Sequence, residues 1–157
     1  MGKPVVEVQP RAVVPTSGGS AVFLGNQSKS FVIYVDNGVG QAITMFMRHT
    51  AKIRPLTHDL MAHILTSLGA KVDRVIINDL KDGTYFARLI LSAENELHER
   101  KIVEIDARPS DCIALAVQQN APIYVAEAVW NQVEDMSEVL EKIAQGESPE
   151  DEISEEE

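Results

Sequence analysis

The chain has 157 residues, 45% of them hydrophobic, and carries a formal net charge of −10 at neutral pH. Residues 147–157 hold seven acids and no basic side chain, so removing those seven charges leaves −3 for the remainder. A chain of this length is enough for one domain that buries roughly 70% of its unfolded surface. The remainder is thus only mildly acidic, and nothing in it looks like the broad basic patch that usually binds nucleic acid.

Cysteine usage and hydropathy indicate where the protein works. Cys112 is the one cysteine, so the chain cannot form an internal disulfide, which is typical of proteins from a reducing compartment. The first residues hold no apolar stretch of signal-peptide length, and no run of 18 apolar residues occurs. We therefore expect a cytoplasmic protein without a membrane segment.

The first elements in chain order are strands followed by a helix. Val5–Val8 has a β-rich composition, and Pro10 together with residues 15–20 is expected to interrupt it. Ala21–Leu24 and Phe31–Val35 flank a turn-rich segment and predict a hairpin. Gly40–His49 then places apolar residues at helical spacing, which predicts the first helix.

Thr57 is predicted to cap the next helix, and Asp59 falls in its first turn. Gly69 is expected to end this helix as its C′ residue. An apolar stripe runs along the helix at positions Leu60, Met61, Ile64, Leu65 and Leu68.

The second half of the chain predicts a strand-rich meander, a helix, a strand and two short helices. The predicted elements are strands Val72–Leu80, Thr84–Ser92 and Lys101–Asp106, a helix opened by residues 108–111, strand Pro122–Ala126, and helices Glu127–Gln132 and Ser137–Ala144. Asp82-Gly83 between two strands is a strong hairpin signal. This order predicts an α+β protein whose helices pack on a mixed, largely antiparallel sheet, with one domain over residues 1–145 and a disordered acidic tail over residues 146–157.

Two polar clusters carry the residue types that phosphate chemistry needs. The first comprises Arg54, Thr57, His58 and Asp59, and the second comprises Asp106, Arg108, Ser110 and Asp111. Each leads into a helix start, where free backbone N–H groups favour an anion. His58 is a candidate acid or base, and the aspartates Asp59, Asp106 and Asp111 are candidate ligands of Mg²⁺ or Mn²⁺. Both arginines, with Thr57 and Ser110, are candidate phosphate contacts.

A structural role is the alternative for each of these residues. Thr57 and Ser110 also suit helix caps, and first-turn acids stabilise a helix through its dipole. The arginines also suit ion pairs that brace the loops, and His58 suits a satisfied first-turn histidine. The apolar neighbours of Cys112 predict burial rather than reactivity.

The segments RPLTHDLM at Arg54–Met61 and DARPSDCIALAV at Asp106–Val117 resemble the signature segments of the bifunctional nuclease family. The resemblance extends over about residues 20–130. It implies an α+β domain, often a homodimer, that cleaves both DNA and RNA, and it carries the eight residues of the two clusters into the predicted site. Together with the three candidate metal ligands, this resemblance predicts divalent-metal-assisted hydrolysis of phosphodiester bonds.

One position departs from the family pattern. Val39 stands where many family members have a glutamate, and Asp36 is the nearby carboxylate that can substitute for it. Two hypotheses follow from the sequence. The first is the metal-assisted nuclease, and the second is a non-enzymatic homodimeric interaction or small-ligand-binding module whose motifs are structural.

Overall fold

The computed structural model describes residues 3–146, so the acidic residues 147–157 of the predicted tail lie outside the described part. The domain is built on one seven-stranded sheet with the order β3-β2-β1-β7-β4-β5-β6. Its strands are β1 (Val5–Thr16), β2 (Gly19–Gly25), β3 (Ser30–Val35), β4 (Ala70–Lys81), β5 (Thr84–Glu94), β6 (Arg100–Ala107) and β7 (Ile123–Ala126). All neighbours pair antiparallel except β4 and β7, which are parallel. The predicted fold class is confirmed.

Five helices pack on this sheet. They are α1 (Asn37–Met47), α2 (Thr57–Ser67), α3 (Pro109–Gln119), α4 (Glu127–Trp130) and α5 (Ser137–Ala144). Helices α1 and α3 pack against each other and join the main core, whereas α5 joins a smaller core on the opposite face. Among residues 3–146, no helix combines the length and apolarity that crossing a bilayer requires.

The two faces of β2 show how one sheet supports both cores. Val22 and Leu24 point into the main core, while Ala21 and Phe23 point into the smaller one. This follows from the alternation of side chains along a strand. Burial on both faces explains why the predicted segment Ala21–Leu24 is a continuous apolar run.

The predicted end of the first strand at Pro10 is wrong. Strand β1 continues to Thr16, and its register shifts between Pro10 and Ala12. This bulge is also the point at which β1 changes partner, because Val5–Val8 pairs with β7 and the following residues pair with β2. Proline lacks a backbone donor, and a bulge is one of the few places where a sheet tolerates that loss.

Two turns have the backbone that their residues predict. Asp82 and Gly83 join β4 to β5 with φ values of 51° and 79°, as a tight hairpin turn requires. Gly69 follows α2 with φ of 74°, and a Cβ there would lie 2.6 Å from the carbonyl oxygen of Glu94. Both the hairpin and the helix end at Gly69 are therefore confirmed.

The sheet curls strongly on itself. Four strands separate β3 from β5 in the sheet order, yet the rings of Phe31 and Tyr85 lie only 5.9 Å apart. Trp130 of α4 packs edge-on against Phe31 at 6.0 Å. The curl brings the ends of the two edge strands, β3 and β6, towards each other, and the candidate site lies where they meet.

Candidate functional site

The starts of α2 and α3 share a local design that differs from the predicted one. The residues at the N-cap positions are Leu56 and Arg108, and neither makes a side-chain capping hydrogen bond. Thr57 is the first residue of α2, and Ser110 is the second residue of α3. The expectation that Thr57 and Ser110 are helix caps is therefore wrong. An Arg-Pro pair leads into each helix, but in α3 the proline is already its first residue, and that position suits its fixed φ.

Asp59 occupies the third position of α2 and stabilises the start of that helix. Its Oδ2 accepts the backbone N–H of Leu56 at 2.8 Å, and its Oδ1 accepts a hydrogen bond from Gln118 at 3.0 Å. The ammonium group of Lys52 lies 3.1 Å from the same carboxylate. Burial alone would raise the pKa of Asp59, but these hydrogen bonds and the charge of Lys52 outweigh it and lower the pKa.

Asp111 occupies the same third position of α3 but makes different contacts. Its Oδ1 lies 3.0 Å from Nε2 of His58. Its Oδ2 accepts a hydrogen bond from Nε of Arg108 at 3.0 Å and lies 3.0 Å from Nη2 of the same guanidinium. An ionised carboxylate only accepts, so His58 donates its Nε2–H. The structure thus joins the two sequence clusters through His58, Asp111 and Arg108. The pairing of Arg108 with Asp111 agrees with the expected ion pair, whereas the contact between His58 and Asp111 was not indicated by their spacing.

His58 is the buried member of this network. Its relative exposure is 6%, and its ring packs edge-on against Phe46 with 6.4 Å between centroids. Asp111 therefore lies between the imidazole and solvent. His58 thus contacts Asp111 from the buried side, and its predicted role as an acid or base stays a prediction.

Arg108 connects this network to the other edge of the sheet. Its Nη1 lies 3.4 Å from Oδ2 of Asp36, which directly follows β3, while Arg108 itself directly follows β6. The hydrogen bond and charge of Asp111, and then the charge of Asp36, raise the pKa of Arg108 above its ordinary value. Asp36, identified in the sequence as a possible substitute carboxylate, thus lies in the candidate site. Val39 is half-buried against the main core.

Asp106 lies at the end of β6 and is largely exposed, with 70% of its side chain accessible and Arg88 at 3.4 Å. Cys112 lies near both Asp106 and Asp111. Burial and then the charges of these two aspartates raise the pKa of the Cys112 thiol to about 12. Cys112 is fully buried, which confirms the burial that its apolar neighbours predict.

Arg54 lies apart from Arg108. It lines a depression of about 230 Å³ with Lys52, Pro55, Asp59 and His63. A larger cavity of about 510 Å³ opens beside Arg108 and Ser110, between the end of β3 and the β4–β5 turn. The two arginines predicted to bind phosphate therefore lie on two separate surfaces.

The candidate metal ligands are also distributed over more than one place. Within residues 3–146, no group of three or more His, Cys, Asp or Glu side chains is close enough to hold a metal ion. Both oxygens of Asp59 already accept hydrogen bonds from the chain, whereas Asp106 is open to solvent. The Mg²⁺ or Mn²⁺ site expected from Asp59, Asp106 and Asp111 stays a prediction.

Sequence reasoning missed the partners of the aspartates. Lys52 lies just before the first cluster, and Gln118 lies two helical turns after Asp111 on α3. Arg88 lies on the neighbouring strand and pairs with Asp106. The one signal in the sequence was the helical spacing between Asp111 and Gln118, which places both side chains on the same face of α3.

The fold and this network define the class: a single-domain α+β protein with a carboxylate–imidazole–guanidinium site at a helix start. The family model described as "Bifunctional nuclease domain" matches residues 22–138. The chain therefore belongs to the bifunctional nuclease family.

Two curated proteins of Mycobacterium tuberculosis are similar to it, one from strain CDC 1551 / Oshkosh and one from strain ATCC 25618 / H37Rv. Both are named as uncharacterized proteins, and each is 35% identical over 107 residues, which are 68% of this chain. The chain spans about 60% of the length of these relatives.

Proposed function

We propose that this protein is a nuclease that hydrolyses phosphodiester bonds in DNA and RNA with the help of a divalent metal ion. The observation that carries the proposal is the network in which Asp111 joins His58 of one family motif to Arg108 of the other. This network lies in a domain whose family is described as a bifunctional nuclease. We further propose that the protein works in the cytoplasm.

The proposed roles follow from exposure and contacts. Asp111 is the carboxylate at the reacting phosphate, and His58 fixes its orientation from the buried side. Arg108 is exposed at the start of α3, where its guanidinium and the free N–H groups of the first turn can hold phosphate oxygens. Ser110 adds a hydroxyl beside Arg108. Arg54 and Thr57 offer a second phosphate contact at the start of α2.

Mg²⁺ or Mn²⁺ would lower the pKa of its bound water and offset the charge that develops on the phosphate. Asp111 and Asp106 are the carboxylates best placed to hold such an ion, because both flank the start of α3 and Asp106 is open to solvent. Asp59 is the third candidate ligand, and Asp59 and Asp111 would both have to give up hydrogen bonds to bind metal. Hard divalent cations prefer such oxygen ligands.

The test is cleavage of labelled single-stranded DNA and RNA by the purified chain with Mg²⁺, Mn²⁺ or EDTA, comparing wild type with Asp106→Asn. We expect metal-dependent cleavage that falls by at least about 100-fold in the variant, the scale of losing a group that assists proton transfer or metal binding. Glu104→Gln is the matched control. Glu104 lies on the same strand, is similarly exposed and pairs with the same Arg88, yet lies outside the family motifs.

Cleavage that persists in EDTA and is equal in all three proteins would come from a contaminant and would count against the proposal. Equal loss in Asp106→Asn and Glu104→Gln would show that the ion pairs of Arg88 matter rather than a site at Asp106. Loss in Asp106→Asn alone supports the proposed site.

A homodimeric interaction module is the second candidate function, and one face of α2 favours it. Leu60, Met61, Ile64 and Leu68 lie on one side of this helix and are exposed, whereas His58 and Leu65 face the core. A contiguous apolar helix face on a small domain indicates a contact surface. We propose that a second copy of the chain covers it, with the same face used by both protomers.

Ile64→Glu should convert the dimer to a monomer. The change removes an apolar side chain twice in a two-fold interface and places two charges there, so we expect the dissociation constant to rise at least about 100-fold. Sedimentation velocity over a concentration series measures it. Leu97→Glu alters another exposed leucine, in the β5–β6 connection, and should leave the dimer intact. A monomeric wild type, or equal dissociation by both variants, would contradict the assignment of this face.

A further inference from the structure

The cavity beside Arg108 lies where the curled sheet brings its two edges together. Its wall is formed by the end of β3, the β4–β5 turn and the start of α3, and we call it the seam cavity. The residues used below are Tyr34, Asp36, Tyr85, Arg108 and Ser110, all of which line it. At about 510 Å³ it falls within the size range of about 300–1,000 Å³ that is typical of small-molecule sites.

Two tyrosines give the seam cavity an aromatic character. Tyr34 is 53% exposed on β3, and Tyr85 is half-buried on β5 with its ring against Phe31. Burial raises the pKa of Tyr85, and the charge that an ionised Tyr34 would carry raises it further. The two phenol groups are therefore close enough to interact electrostatically. An exposed tyrosine next to a packed one offers a rigid support and an accessible ring face.

Polar groups complete the seam cavity. Arg108 and Ser110 bring a guanidinium and a hydroxyl to one wall of the cavity, and the guanidinium is paired with Asp36 and Asp111. An aromatic ring face beside a guanidinium and a hydroxyl is a combination that recognises a nucleobase next to its phosphate.

We propose that the seam cavity binds one unpaired nucleobase of a single-stranded nucleic acid, stacked on Tyr34, with the adjoining phosphate at Arg108. This inference rests on the proposed function, because it assigns the substrate contact of the same site. A base inside a duplex is stacked and paired and cannot enter such a cavity without leaving the helix. Single-stranded DNA or RNA is therefore the form that the protein binds.

The first test is the affinity of a fluorescein-labelled hexanucleotide, as DNA and as RNA, measured by anisotropy in EDTA so that no cleavage occurs. Tyr34→Ala should weaken binding by about 5- to 100-fold, the range given by loss of one base–aromatic stack. Tyr34→Phe keeps the ring and should bind within about two-fold of wild type. Tyr124→Ala is the control, because this third tyrosine lies on β7 and outside the cavity lining.

The second test removes the base instead of the ring. A hexamer of abasic nucleotides keeps the phosphates, so it should bind wild type more weakly than the normal hexamer does. It should bind Tyr34→Ala as it binds wild type, because the stack is already lost. A Tyr34→Ala variant that binds the normal hexamer like wild type, or that loses the same affinity for both ligands, overturns the base contact.

The two proposals fail separately. Binding that depends on Tyr34 and on the base, without hydrolysis in any metal, would keep the base site and reject the nuclease. Metal-dependent hydrolysis, with an affinity that changes neither in Tyr34→Ala nor on removal of the base, would support the nuclease and reject the base site. A duplex that binds better than either single strand also rejects the base site.

Discussion

The Asp111→Asn variant should lose nucleic-acid cleavage by roughly 10²–10⁴-fold while remaining folded, the range for removing a group that transfers or directs a proton. Among the carboxylates of residues 3–146, Asp111 is the one that contacts both His58 and Arg108, and asparagine preserves its shape while removing its charge. Single-turnover cleavage of labelled single strands measures the loss, and circular dichroism checks the fold.

Asp59→Asn is the matched comparison, because Asp59 occupies the same third position of its helix. Its carboxylate stabilises the start of α2 through Leu56, Lys52 and Gln118. We expect this variant to lose chiefly stability, about 1 kcal/mol, and far less cleavage than Asp111→Asn.

The pH dependence of stability gives a second measurement on the same pair. The pKa of Asp59 is depressed in the folded protein. Its stabilisation is therefore present above the ordinary pKa of the carboxyl and is lost as the pH falls through the folded pKa. Wild type should lose stability to acid more steeply than Asp59→Asn. Similar losses of cleavage in Asp59→Asn and Asp111→Asn would instead make the two aspartates equal members of the site.

Phe31→Ala should lower the free energy of unfolding by about 3–5 kcal/mol, the range for truncating a buried phenylalanine. Phe31 is 1% exposed, and its ring contacts Tyr85 of β5 and Trp130 of α4. Its ring connects β3 to β5 across the curled sheet. Urea unfolding followed by tryptophan fluorescence reports directly on this contact.

Phe86→Ala serves as the control for Phe31, because Phe86 neighbours Tyr85 on β5 but is exposed. We expect it to cost less than about 1 kcal/mol. Since 1 kcal/mol moves the melting temperature by about 2–4 °C in a domain of this size, the two variants should be clearly separated. Equal destabilisation by both changes would mean that the contact across the sheet contributes little.

Local patterns predicted most elements of the fold. The Asp82-Gly83 turn, the hairpin of β2 and β3, and the helix end at Gly69 depend on residues near each other in the chain, and all three are confirmed. The course of β1 through Pro10 was not predictable. Its first half pairs with β7 and its second half with β2, and these two strands are far apart from each other in sequence. The curl of the sheet was equally hidden, since it appears only in contacts between distant strands.

The candidate site was predicted in its parts but not in its arrangement. The sequence identified His58, Arg108 and Asp111, yet residues 53 positions apart form the central hydrogen bond. Asp59 and Asp111 occupy equivalent positions in the two sequence clusters, so the sequence did not indicate that their contacts differ. Only the three-dimensional partners separate the aspartate that stabilises a helix start from the one that joins the network.

Strand β7 has four residues, yet it is the element that joins β1, β2 and β3 to β4, β5 and β6. Val5 pairs with Ala126, about 120 residues later, so during synthesis the first part of β1 has no partner until most of the chain exists. Each half can form its own hairpins early, because those contacts are local. Between these stages β1 and β4 present open edges that another chain can pair with. We therefore expect the late insertion of this short strand to be the step at which folding competes with aggregation.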